Sequence, residues 1–253
     1  MELPHELATA LDVAARSPRL LVTSDFDGTL SPIVNNPADA RPLPDAGQAL
    51  IELADLPATS AALISGRALR DLRTLSSMPP TVSLVGSHGA EFDSGFATDI
   101  DLGLLQKITD TLASIASGKP GVTVETKPAS VALHVRNASP VHGAAALREA
   151  RAASDSWNAY ATEGKAVLEF AVISTDKGEA IDILRERHGA TAVVFFGDDV
   201  TDEKAFRRLR DADIGVKVGP GETAAAYRVD SPESVATTLR YVLDVRRHLS
   251  DQQ

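Results

Sequence analysis

The sequence predicts an α/β fold: a mostly parallel sheet covered by helices on both faces, with a smaller α+β segment inserted into it. Three observations carry that prediction. Short apolar runs alternate with amphipathic helical stretches in the first third of the chain and again in the last third, the order that builds parallel strands joined by helical crossovers. Residues 98–172 break this rhythm and read as helix–strand–strand twice over, which suits a small antiparallel sheet. That stretch carries seven basic and eight acidic side chains, −1 of the total −10, so the remainder holds −9. The expected division is therefore 1–97 with 173–253 as one discontinuous domain and 98–172 as a second.

The elements follow in order. RLLVTSDFDG is an apolar run ending in a polar turn, a buried strand. PDAGQALIELADL is a helix, with Pro44 at its start and Leu50, Leu53 and Leu56 at helical spacing. TSAALISG is a second strand, RALRDLRTLSSM a helix with Leu69, Leu72 and Leu75 on one face, and TVSLVGS a third strand. In the middle segment, LGLLQKITDTLASI and GAAALREARAA are helices. GVTVETKP, SVALHVRN, WNAYAT and KAVLEFAV are short strands there, and Trp157 is a core residue of that segment. DKGEAIDILRERHG is a helix with Ile181 and Leu184 inward, basic residues in its last turn and Gly189 as its stop. TAVVFFGDD is a strand ending in acids, EKAFRRLRD a helix, DIGVKVG a strand, and SPESVATTLRYVLDVRRHL a closing helix with Ser231 and Pro232 at its start.

Composition excludes several classes. With 253 residues, 43% of them hydrophobic, and 24% charged, the chain can bury a real core. It has no cysteine, which removes disulfides, thiolate metal sites and cysteine nucleophiles. No basic-then-apolar leader opens it and no apolar run approaches the ~20 residues of a membrane span, so a soluble cytoplasmic protein with no membrane partner is expected. A net charge of −10, the absence of a Lys/Arg block and 4% aromatics argue against nucleic acid.

Chemistry is concentrated in the carboxylates. Asp25 and Asp27 lie just past the strand LLVTS, where open parallel sheets place their sites, and their spacing of two points both side chains to one side. Gly28 permits a sharp turn, and Thr29 offers a hydroxyl to an anion. Asp198, Asp199 and Asp202 follow AVVFFG, at another strand's carboxyl end. If the two strands are neighbours, two acidic loops meet, and oxygen-only ligands favour a hard cation, Mg²⁺ above all. Ser65 and Gly66 end a strand and open a helix whose N–H groups could hold a phosphate. Lys177 sits at a helix start, where the dipole disfavours a cation.

In order along the chain, DFDGTL, SGR, the Lys-Gly helix start and GDDVTDE resemble the four signature motifs of the haloacid dehalogenase-like phosphohydrolases. The inserted segment resembles their type C2 cap (C2B-like), on a Rossmann-like core. GSHGAE, KPASVALHVR, EGKAVLEF and GDDVTDEKAF narrow the resemblance to the trehalose-6-phosphate phosphatase family. Val135, Ala171 and Val172 stand where that family has an aromatic, Arg and Pro, which bears on sugar contacts rather than on the phosphoryl chemistry.

The resemblance implies a mechanism and a division of labour. Asp25 is the nucleophile, Asp27 the acid/base, and Lys177 with Thr29, Ser65 and Gly66 holds phosphate. Mg²⁺ is held by Asp25, the Asp27 carbonyl and Asp198, and Asp199 and Asp202 stand behind these groups. Arg67, His88 and Glu91 from the core, with Lys127, His134, Arg136, Lys165 and Glu169 from the cap, are candidates for reading the sugar. His134 and Arg136, two apart, are expected on one face of a strand that Glu169 could join. A sugar-phosphate substrate and a metabolic link to a trehalose-6-phosphate synthase follow, as do cap hinges near 93–99 and 171–176. The alternatives are another C2-capped phosphatase (for sucrose phosphate, or mannosyl- or glucosyl-phosphoglycerate), a phosphotransferase, or a receiver-type signalling module.

Overall fold

A computed structural model describes residues 3–97, 99–173 and 176–250. The elements, in chain order, are α1 (His5–Ala15), β1 (Leu20–Ser24), α2 (Pro44–Ala54), β2 (Thr59–Ile64), α3 (Leu69–Ser76), β3 (Val82–Gly86), β4 (Glu91–Phe92), β5 (Gly95–Phe96), α4 (Leu102–Ala116), β6 (Thr123–Thr126), β7 (Ser130–His134), α5 (Pro140–Ser154), β8 (Tyr160–Gly164), β9 (Val167–Ala171), α6 (Lys177–His188), β10 (Ala192–Gly197), α7 (Asp202–Arg208), β11 (Ile214–Val218), β12 (Tyr227–Val229) and α8 (Pro232–Ser250). They form two compact units, residues 1–95 with 175–253, and residues 96–174. Thr98, Ser174 and Thr175, within the expected hinges, lie outside the described residues.

The larger unit holds a sheet ordered β12-β11-β10-β1-β2-β3-β4-β5. From β12 to β3 every neighbouring pair is parallel, and β4 runs antiparallel to β3. The chain winds from β1 outward through β2 and β3, then returns beside β1 as β10 and winds the other way. The gap between β1 and β10 is thus the topological switch point, outside whose carboxyl ends such sheets bind ligands.

The strands are apolar because both faces are covered. In β1, Leu20 and Val22 pack into the cluster that also buries Leu50, Leu53 and Leu243 of α2 and α8. Leu21 packs on the opposite side, with Ile181, Leu184 and Phe206 of α6 and α7. β10 alternates likewise, Val194 and Phe196 to the first cluster, Val193 and Phe195 to the second. The α8 helix is tied down by buried Arg246, whose guanidinium donates to Thr59 Oγ1 and to the carbonyls of Ala15, Ser17, Pro57 and Ala58. The buried guanidinium thereby has each of its nitrogens paired.

The smaller unit is a four-stranded antiparallel sheet ordered β6-β7-β9-β8, with α4 and α5 packed on one face. Trp157 is buried there, edge-on to Phe170 at 4.9 Å between ring centroids.

Several expectations shift. The helix expected from residue 67 starts at Leu69, because Ser65–Arg67 is held in a turn by the Arg67 N–H on Ser65 Oγ (3.2 Å). β7 stops at His134, so Arg136 does not share its strand. The chain turns there to deliver Ser139 as the side-chain cap of α5 and Pro140 as its first residue. Lys165 lies not on a strand but, with Ala166, in the two-residue turn joining β8 to β9. The α1 helix, the short pair β4–β5 and β12 were not read from the sequence.

Candidate active site

The carboxyl ends of β1 and β10 are locked side by side. Ser24 pairs with Phe196 in register, and the Asp25 N–H donates to the Phe196 carbonyl at 2.9 Å. The next residue on each strand therefore enters the same small volume. Asp25 Oδ1 accepts the Phe26 N–H at 2.6 Å and lies 2.9 Å from Lys177 Nζ. Lys177, only 2% exposed, also donates to Asp202 Oδ1 at 2.7 Å. Asp202 is fully buried, and its Oδ2 accepts the N–H groups of Asp198 and Asp199, each at 2.9 Å. It thereby folds the loop that carries Asp198. Thr29 Oγ1 donates to Asp198 Oδ1 at 3.1 Å, tying the β1 loop to the β10 loop.

Lys177 occupies the first position of α6, where the dipole opposes a cation. The N-cap Asp176, accepting from the Glu179 N–H, and the two carboxylates it joins account for its place. Burial pushes its ammonium down, but Asp25 and Asp202 outweigh this and hold it above its ordinary value, protonated. Burial raises the Asp25 carboxyl well above the usual range; Lys177 opposes the rise, while Asp202 and Asp198 add to it. Asp198 is raised as well, by burial first and then by Asp202. Three carboxylates converge on Lys177, one more negative charge than Lys177 and the buried Lys217, whose Nζ donates to the Asp198 carbonyl, offset together.

A divalent ion fits that deficit. Asp25, Asp198 and Asp202 each offer an oxygen, all within 4.8 Å of one another. With both Asp202 oxygens already accepting hydrogen bonds, Asp25 and Asp198 are the carboxylates freer to bind. Space is kept open at Gly28, whose φ is +81° and where a Cβ would sit 2.1 Å from Asp198 Oδ2. The all-oxygen donor set belongs to a hard cation.

The remaining candidates separate. Arg67 grips Asp27 with both arms, Nε to Oδ2 at 2.6 Å and Nη2 to Oδ1 at 2.7 Å, its guanidinium centred 5.7 Å from the Phe26 ring. Ser65 is buried, and its neighbour Gly66 is covered by the His88 ring. Glu91 caps α3: its Oε2 accepts the Leu69 N–H at 2.8 Å. That N–H, expected to serve a phosphate, is taken. Asp199 is exposed and turns back on its own loop, its Oδ1 accepting the Val200 N–H.

In the smaller unit, Glu169 accepts from Lys127 Nζ at 2.9 Å and from Ser130 Oγ at 2.6 Å. His134 Nε2 lies 2.8 Å from Glu125 Oε2, two residues along β6 from Thr123, its partner in register. Arg136 and Lys165 are exposed in turns.

Lys217 was missed. It is 5% exposed within β11, and its Nζ donates to the Asp198 carbonyl. A lysine inside the apolar run IGVKV of a strand covered on both faces was the available signal.

The sequence comparisons complete the picture, since the trehalose-phosphatase family profile matches residues 23–234. The chain belongs to the trehalose-phosphatase family. It is 33% identical over 280 residues to a trehalose-phosphate phosphatase of Mycobacterium leprae, covering 100% of this chain and 63% of that protein. It is 35% identical over 240 residues to a bifunctional trehalose-6-phosphate synthase/phosphatase of Thermoproteus tenax, covering 89% of this chain and 32% of that one. The chain thus spans under two thirds of the length of these curated relatives. Among solved structures, the C. albicans trehalose-6-phosphate phosphatase C-terminal domain superposes with a TM-score of 0.77 at 25% identity, covering 94% of this chain and 96% of that one. The haloacid dehalogenase-like core is the fold these trehalose phosphatases share with it. Among the described residues, no helix is long and apolar enough to cross a membrane.

Proposed function

We propose that the chain is a Mg²⁺-dependent phosphatase that hydrolyses trehalose 6-phosphate to trehalose and inorganic phosphate through an aspartyl-phosphate, the final step of trehalose biosynthesis. One observation supports it above the rest: in a chain of the trehalose-phosphatase family, Asp25, Lys177, Asp202 and Asp198 converge at the switch point of the sheet.

Asp25 Oδ1 is held by Lys177 and the Phe26 N–H, which leaves Oδ2 to attack phosphorus. The new P–O bond forms as the bond from phosphorus to the sugar's O6 breaks, and Asp27 gives its proton to that departing oxygen. Water then forms a bond to phosphorus, Asp27 takes a proton from it, and the phosphorus–Asp25 bond breaks. Arg67 holds Asp27 until an incoming phosphate dianion competes for the guanidinium. Lys177 and the Ser65 hydroxyl hold the phosphoryl oxygens, and Thr29 keeps the two acidic loops together. Asp25, Asp198 and the Asp27 carbonyl would hold Mg²⁺, which would supply charge to offset repulsion between the carboxylate and the substrate.

Residues 96–174 act in this reading as the specificity cap, with the Lys127–Ser130–Glu169 group its polar centre. Trehalose is uncharged and rich in hydroxyls, and burying them requires paired donors and acceptors of this kind. A synthase would supply the substrate in the cytoplasm, in keeping with the fused enzyme named for T. tenax. The test is phosphate release from trehalose 6-phosphate, sucrose 6-phosphate and glucose 6-phosphate, with Mg²⁺ and with EDTA. Preference for the first, abolished by EDTA, supports the reading; equal rates on all three, or rates indifferent to EDTA, contradict it.

A further inference from the structure

The GSHGAE segment that follows β3 is left without a role by the chemistry above. We propose that it is a positioning wedge, with His88 packed on Gly66 so that the Ser65 turn is set at a fixed place relative to Lys177. The inference rests on the phosphatase reading for its meaning and on the geometry of the larger unit for its support.

The backbone of the wedge is unusual. Ser87 and His88 are both left-handed, with φ of 51° and 57°, a region that non-glycine residues seldom occupy and almost never in pairs. Two bonds hold the pair there: the Ser87 N–H donates to the Arg67 carbonyl at 2.7 Å, and the His88 N–H to the Ser65 carbonyl at 2.9 Å. Both acceptors belong to the Ser65–Arg67 turn. Glu91 braces the same turn from beyond, its Oε2 accepting from Leu69 N–H and, at 3.3 Å, from Ser87 Oγ. The left-handed conformation directs the His88 ring onto Gly66, where a Cβ would lie 2.4 Å from Cε1 of the imidazole. The phosphate turn and the ring therefore fit only because residue 66 has no side chain.

The other side of the wedge meets the start of α6. Gly89 has φ of +109°, and a Cβ there would lie 2.6 Å from the carbonyl oxygen of Asp176, the residue before Lys177. One six-residue segment thus touches both the turn carrying Ser65 and the helix start carrying Lys177. In the proposed reaction these two groups hold the phosphoryl oxygens, one from the end of β2 and one from the start of α6. Glycine at 87 and 88 would relax the backbone, whereas the Ser87 hydroxyl bonded to Glu91 and the His88 ring packed on Gly66 are contacts that only these side chains make. In this arrangement His88 does not read the sugar.

The test uses His88→Gly, which accepts the left-handed backbone without strain and removes the whole side chain, together with Gly66→Ala and the double variant. Each is assayed on trehalose 6-phosphate and on 4-nitrophenyl phosphate, with calorimetric binding of inorganic phosphate in the presence of Mg²⁺. His88→Gly is expected to keep its fold and to weaken phosphate binding and kcat/KM by about 10-fold, equally on both substrates, since small misplacements near reacting atoms cost roughly 10- to 100-fold. Gly66→Ala is expected to lose about 100-fold, and the double variant to recover about 10-fold over it, because the ring its methyl strikes is gone. A His88→Gly loss confined to the sugar phosphate, or a double variant no better than Gly66→Ala, overturns the wedge. If the wild type released phosphate from neither compound, the functional reading would fall, and phosphate calorimetry on the same variants would still decide the wedge.

Discussion

Replacing Asp202 by Asn separates the buried charge pair from the shape of the residue. The native carboxylate takes three donors, Lys177 Nζ at 2.7 Å on Oδ1 and the Asp198 and Asp199 N–H groups at 2.9 Å on Oδ2. Asparagine has one oxygen and one amide nitrogen, so whichever way it turns, donor meets donor on one side. Leaving a buried donor unpaired costs about 1–3 kcal/mol, and removing one partner of a buried ion pair costs roughly 3–5 kcal/mol. Against this, repulsion of Asp25 and Asp198 by Asp202 is relieved, and Lys177 keeps Asp25 at 2.9 Å. The net expectation is a loss of about 2–4 kcal/mol. For a chain of this size 1 kcal/mol moves the midpoint by roughly 2–4 °C, so the shift is about 4–16 °C. Circular dichroism melts in EDTA measure it. Trp157, the chain's only tryptophan, is buried in the smaller unit, so its fluorescence serves as an internal control and should shift less. A circular dichroism midpoint within 1 °C or so of wild type, with activity intact, would refute the view that Asp202 clamps both Lys177 and the Asp198 loop.

Three further outcomes are expected. Mg²⁺ at about 100 times its dissociation constant should stabilise the wild type by roughly 2.7 kcal/mol, and Asp198→Asn should abolish the shift in thermal melts; an unchanged shift would remove Asp198 from the ion's ligands. Glu169→Ala should lower kcat/KM for trehalose 6-phosphate by about 10-fold or more while sparing 4-nitrophenyl phosphate, since unpaired polar partners penalise only the ligand that needs them; equal losses would mean that this residue does not read the sugar. Burial lowers the His188 pKa below its ordinary 6.5, aided by Arg187. Because the unfolded chain binds that proton more readily, stability from this group is complete above pH 6.5 and falls as the pH drops below it. Chemical denaturation from pH 7.5 to 5 should therefore show a shallower decline for His188→Gln, and an identical decline would remove His188 from the balance.

The parallel core was legible because β1, β2, β10 and β11 are short apolar runs buried on both faces, and because the acids follow two of them directly. Their meeting was legible only as a condition. Sequence could not state that β1 and β10 are neighbours, since that depends on a chain reversal about 170 residues long. Lys177 stood out by being at the wrong end of a helix. Lys217 did not, since a single lysine in a strand reads as an exposed position unless both faces are known to be covered. The polar face of the smaller sheet was misread at Arg136 and Lys165, because alternation continues through a turn in the sequence but not in space. Glu91 stood only as a candidate for reading the sugar, and its cap on α3 was not foreseen. A carboxylate from a distant segment can serve as a cap, and no local pattern marks it. GSHG was recognised as a motif without its mechanism, which lies in contacts to residues twenty or more positions away on one side and about ninety on the other.

The claim on which the rest depends is that Asp25 becomes covalently phosphorylated between the two acidic strand tips. Rapid acid quench of the protein turning over trehalose 6-phosphate with Mg²⁺, followed by peptide mass spectrometry, tests it directly. The account predicts one phosphoryl group on the peptide carrying Asp25, absent in Asp25→Asn and absent when EDTA replaces Mg²⁺. Phosphate released at full rate with no trapped adduct, or an adduct on any other residue, would contradict it.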